Sequence, residues 1–181
     1  MFDDVTEAVH QAPPLPFDSL TVRAESAGNE VIEKEHAMIR SMRRLRAAQG
    51  VAFVVDQNVQ EKEGIFVQFF GRPACTTPFA AALALKTGAL VLPCRAVMTE
   101  DLRYRVIYDP PLDPAAFGKG EDAVRALTQA MALRTEMWIR ENPDQWLWMH
   151  RRWHTQPKDA AAGVVHRRWH TQPKDAAAGV V

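Results

Sequence analysis

Apolar positions along the chain follow two rhythms, a spacing of three to four residues and short unbroken runs, and these alternate. Residues 35–48 place Met38, Ile39, Met42 and Leu45 on one side and Arg40, Arg43 and Arg44 on another, which predicts a helix ended at Gly50. A second helix is predicted from a Thr76 or Thr77 cap, with Pro78 in its first turn, to Lys86 and a stop at Gly88. A third and longer one spans 121–141 and stops at Asn142-Pro143. The continuous run 51–55 predicts a strand buried on both faces and ending in Asp56. Further strands are expected at 65–70, at 89–93 with an extension over 95–98, and at 104–108, with Gly71-Arg72-Pro73 turning the chain. A short helix over 17–25, closed by Gly28-Asn29, and a short strand at Val31-Ile32 precede these, after a ragged acidic and proline-rich loop over 1–16. The alternation predicts an α/β fold, a mixed sheet flanked by helices.

Composition narrows the class without naming a chemistry. Of 181 residues 47% are hydrophobic, enough for one packed domain. The apolar runs are far shorter than the roughly 18 residues a membrane span needs. Twenty-two basic and 22 acidic side chains cancel, which argues against a nucleic-acid binder. Cys75 and Cys94 are too few for a disulfide framework and fit a reducing compartment. No basic-then-apolar leader follows Met1.

The carboxyl end repeats itself: residues 150–165 and 166–181 are the same string, HRRWHTQPKDAAAGVV. Repeat architectures need several copies and longer periods. One perfect copy reads as an addition to the fold, so residues 1–157 are expected to be domain and 158–181 tail.

Three strings carry a family resemblance. They are Asp56-Gln57-Asn58 followed by Gly64-Ile65-Phe66-Val67-Gln68-Phe69-Phe70-Gly71-Arg72-Pro73-Ala74-Cys75-Thr76-Thr77-Pro78; then Thr87-Gly88-Ala89-Leu90-Val91-Leu92-Pro93; then Asn142-Pro143-Asp144-Gln145-Trp146-Leu147-Trp148-Met149-His150-Arg151-Arg152-Trp153. In this order, over 17–157, the chain resembles the bacterial lipid A biosynthesis acyltransferases, of the lysophospholipid acyltransferase superfamily. The resemblance implies an acyltransferase-type α/β fold at the cytoplasmic face of the inner membrane. It implies transfer of a fatty acyl group from acyl carrier protein, or coenzyme A, to a hydroxyl of a lipid A precursor, with no cofactor. The family motif is a histidine with an acid five positions on; the imidazole takes the hydroxyl proton and the acid orients it.

That motif lies ahead of the matched strings in the family, so the chain is expected to be a carboxyl-terminal portion, truncated and inactive alone. His154 with Asp159, copied as His170 with Asp175, has the spacing, but 22 of 181 residues are acidic and one chance match among six histidines is expected. His150 and His154 are spaced to share a helix face, yet no third ligand accompanies them, so no metal site is expected. Truncation is also expected to leave sheet edges and apolar faces uncovered, and so to favour aggregation.

The remaining candidates are substrate contacts. Asp56 with Gln57, at the end of the expected strand, sits where α/β folds place ligand groups; a plain Asx turn is the alternative. Arg72 with Thr76 and Thr77 is expected to form an anion cradle at a helix start. Arg23 is a candidate for substrate, and Arg40, Arg43, Arg44 and Arg46 for anionic lipid or the acidic carrier. Arg151 and Arg152 beside Trp146, Trp148 and Trp153 suit a membrane boundary or a phosphate headgroup, with Trp146 and Trp148 leaning to the core. Phe69 and Phe70 line either the core or an acyl channel. A non-catalytic headgroup- or carrier-binding module is the alternative reading of the whole.

Overall fold

The computed structural model describes residues 28–32 and 35–158, so the expected helix over 17–25, Arg23 and Asp159 lie outside the described residues. Among the described residues three α-helices and four strands follow in the order α1 (Ala37–Arg46), β1 (Ile65–Phe69), β2 (Arg72–Thr76), α2 (Phe79–Thr87), β3 (Cys94–Met98), β4 (Tyr104–Tyr108) and α3 (Gly120–Glu141). The α/β class is as the alternation predicts. The strands pair as two antiparallel hairpins, β1–β2 and β3–β4.

The helices form where spacing and punctuation ask for them. α1 carries Arg43, Arg44 and Arg46 in its last turn, where cations complement the helix dipole, and Glu30 accepts from both Arg40 and Arg44. The Thr77 hydroxyl accepts the Phe79 N–H at 3.3 Å at the start of α2, and Gly88 ends it in the left-handed conformation. α3 starts with Glu121 and Asp122 and ends before Pro143. Its small and long apolar positions face two ways. Leu127 and Met131 meet Ala80, Ala81 and Ala84 of α2. Ala132 and Ile139 meet Val67, Phe69 and Ala74 of the first hairpin.

Three expectations are corrected. Residues 51–55 form no strand: Val54 is 73% exposed, and the Phe53 ring packs on Phe79 at 5.4 Å. An apolar run specifies burial, but a strand also needs a partner offering ladder hydrogen bonds, and no described strand pairs with this segment. Val31-Ile32 is likewise outside any strand, and 89–93 contributes a single bridge, Val91 with Leu112.

Residues 72 and 73, expected to turn, open β2. The turn is Phe70-Gly71, both with positive φ (51° and 70°), as a two-residue hairpin needs. Pro73 is tolerated because it faces Gln68, whose own N–H and C=O point away from β2 and bond the Gln129 amide at 2.7 and 2.9 Å. Gly64, just before β1, permits close packing: a Cβ there would lie 2.5 Å from Val59 Cγ2 and 2.6 Å from Cys75 Sγ.

Candidate functional site

Beyond α3 the chain makes a short turn at Pro143–Gln145 and then crosses the first hairpin. Trp146 and Trp153 lie against Phe69, with ring centroids at 5.8 and 5.7 Å. Between them Arg152 is inserted into the core, 2% exposed. Its Nη1 donates to the carbonyls of Cys75 (2.8 Å) and Gln57 (3.3 Å), its Nη2 to the Thr76 hydroxyl, and its guanidinium sits 5.1 Å over the Phe69 ring. These contacts offset the desolvation of a buried cation. Burial lowers the Arg152 pKa below the ordinary guanidinium value, while Asp56 and Cys75 pull it back up. The same burial pushes the Cys75 thiol up, against the pull of Arg152.

A second tie closes the segment. The Asn58 amide donates to the Thr155 hydroxyl (3.0 Å) and accepts the Thr155 N–H (3.1 Å), and that hydroxyl donates to Val59 O at 2.8 Å. Ninety-seven positions of sequence separate the two partners, so composition gives no sign of the pairing.

The expected site residues divide accordingly. Gln57, Thr76 and Arg152 meet one another, and the polar atoms that join them are buried among the chain's own groups. Asp56 is half-buried in a loop rather than at a strand end, and accepts the Trp146 indole N–H at 3.0 Å. Arg72 and Thr76 do not share a cradle. They occupy opposite ends of β2, on the order of 13 Å apart in a strand, because the segment is extended rather than looped. Arg72 is exposed and stacks 5.0 Å over Trp153. Arg151 is exposed, with no side-chain partner among the described residues. Trp148 is 53% exposed, which corrects its assignment to the core, whereas Phe69 is core at 1%.

A cleft of about 270 Å³ opens between residues 53–56, β3 and the end of α3. Phe53, Val55, Val97, Trp138 and Ile139 give it apolar walls, and Asp56 and Asn142 add polar groups at one side. The Gln145 amide is already engaged, bonding both the N–H and the C=O of Met98 at 2.7 and 3.0 Å. Arg95 enters from β3, pairs with Glu141 and lies 5.6 Å from the Trp138 ring. Its Nε and Nη1 are buried without a hydrogen-bond partner among the described residues, so the indole face is their counterpart. Sequence reading passed over Arg95; the signal was a lone arginine in the otherwise apolar strand Cys94–Met98.

The cleft's apolar walls and polar groups are of the kind that suits binding. Among the described residues no histidine lines the cleft. Among the described residues no helix is long and apolar enough to cross a membrane.

No curated relative matches the chain. The family model of bacterial lipid A biosynthesis acyltransferases matches residues 5–155, most of the sequence and all of the hairpin, cleft and crossing segment. The chain belongs to the bacterial lipid A biosynthesis acyltransferase family.

Proposed function

We propose that these residues form the recognition portion of a lipid A biosynthesis acyltransferase acting at the cytoplasmic face of the inner membrane. The reaction is attack of a precursor hydroxyl on the thioester carbonyl of acyl carrier protein, or of coenzyme A. A C–O bond forms, the C–S bond breaks, and the hydroxyl proton passes through a general base to the departing thiolate. Arg72 and Arg151 are suited to hold phosphates of the glycolipid or of the carrier's prosthetic arm, since both guanidinium groups are exposed and neither is paired with a carboxylate among the described residues. What supports the reading is the pair of exposed guanidinium groups, Arg72 and Arg151, in a chain whose family match spans residues 5–155.

The test is a transfer assay in detergent micelles with labelled acyl carrier protein and a lipid A precursor. The expected result is saturable glycolipid binding, weakened in Arg72→Ala, with no acylated product from this chain alone. Product that forms and disappears in His154→Ala overturns the reading. The exposure of Arg72 and Arg151 also favours a second reading, a non-catalytic headgroup- or carrier-binding module. A monomer that binds vesicles or carrier in an Arg72-dependent way, without saturable preference for the glycolipid, favours the module.

A further inference from the structure

We infer that Phe70 and residues 147–151 form a preshaped tip that docks on an anionic lipid surface. Leu147, Trp148 and Met149 are consecutive and exposed at 54%, 53% and 83%, a cluster of apolar surface that a soluble face rarely carries. The tip is held in shape. Trp148 stacks on Trp146 at 4.7 Å and donates its indole N–H to Pro143 O at 2.7 Å. It also lies 6.5 Å from Phe70.

Phe70 is itself in a backbone conformation that bulky residues seldom adopt, φ 51°. Its N–H is bonded by Glu136 at 2.6 Å and its ring is covered by Arg140 at 4.7 Å. An asparagine or glycine suits that turn position better; an aromatic there, half-buried against Phe69 and Trp153, gives Trp148 a ring to rest near.

Charge selects the partner. Glu136 already answers Arg140, whereas Arg72, next to the turn, and Arg151, just past Met149, are exposed without a carboxylate partner among the described residues. An indole, two aliphatic side chains and two free guanidinium groups match a bilayer boundary with anionic headgroups. An acidic protein would satisfy the cations but leave the apolar side chains without a counterpart. The inference rests on the reading of the chain as acting at a lipid surface, not on transfer itself.

The test is co-sedimentation of the full chain with vesicles of phosphatidylethanolamine and phosphatidylglycerol, against phosphatidylcholine alone, with no glycolipid present. Binding to the anionic vesicles is expected, falling with salt. Met149→Asp lowers it about tenfold, the loss of roughly one inserted apolar side chain. Arg151→Gln lowers it about fivefold, and both variants melt as the wild type does. Three results overturn the inference: Met149→Asp binding as tightly as wild type; equal binding to neutral vesicles, or none to either while acidic carrier protein is retained; or Met149 already shielded from oxidation in the vesicle-free chain. Because the transfer assay runs in micelles, its failure and the failure of this surface are separate outcomes.

Discussion

Hairpins β1–β2 and β3–β4 are built alike, with five residues in each strand and antiparallel pairing, and they meet opposite fates. In the first, Val67, Phe69 and Ala74 are buried in one cluster with Ala132 and Ile139 of α3, and Cys75 is buried against Gln60 and Gly64. In the second, no strand residue is buried. Cys94, Ala96 and Met98 stand opposite Tyr108, Val106 and Tyr104 on one wholly exposed face, while Val97 and Ile107 are half-buried on the other. Apolar pairing alone therefore does not bury a hairpin here. Cover comes from a segment that brings its own polar partners, Arg152 and Thr155, to satisfy the carbonyls it encloses.

Alanines make the sharpest break in that comparison. Ala74→Lys puts an unpaired ammonium into a fully buried site and is expected to cost more than about 4 kcal/mol, enough to abolish a cooperative melt followed by circular dichroism. Ala96→Lys, on the exposed face, is expected to change stability by less than about 0.5 kcal/mol and to reduce self-association in sedimentation. Equal melting of the two variants would put cover over both hairpins.

Thr155→Val removes the hydroxyl that accepts from Asn58 and donates to Val59 O, and is expected to cost about 1–3 kcal/mol in denaturant unfolding. A loss no greater than an exposed substitution produces would mean that the Asn58–Thr155 tie contributes nothing to holding the crossing segment.

How much of this the sequence reveals depends on which interaction decides each element. α3 and β4 were legible because period and punctuation lie within the element: a helical apolar stripe ended by Asn142-Pro143, and a short run of β-branched and aromatic residues ended by Pro110. β2 was not, since Gly71 and Pro73 read as breakers. Only the register with Gln68 shows that the missing proline N–H was never needed. Residues 51–55 failed the other way, apolar enough for a strand but without a neighbour. In the site, Arg151 and Arg152 are indistinguishable as letters. The chain turns at 151–154, where the His154 N–H bonds Arg151 O at 2.8 Å, and the turn leaves Arg151 at the surface while it carries Arg152 into the core.

The smallest effect concerns the two thiols. Cys94 is exposed and is expected to alkylate readily, whereas Cys75, buried and with its pKa raised by desolvation, stays protonated and slow. A thiol whose pKa is raised by folding favours the folded state below the ordinary thiol value of about 8.5. That contribution is lost as pH climbs through the raised value, so stability falls with rising alkalinity. Cys75→Ala is expected to flatten this slope; an unchanged slope, or equal alkylation of both thiols, would place Cys75 in a solvated site.

The central claim is that neighbouring arginines divide the work, Arg152 holding the crossing segment in the core and Arg151 meeting the ligand. One paired measurement tests it, thermal melting and lipid A precursor binding recorded side by side for Arg151→Ala and Arg152→Ala. The account predicts a wild-type melt with weakened binding for Arg151→Ala, and for Arg152→Ala a loss of about 3 kcal/mol as buried carbonyls lose their donor. An Arg152→Ala protein that melts like the wild type and loses only binding would contradict it.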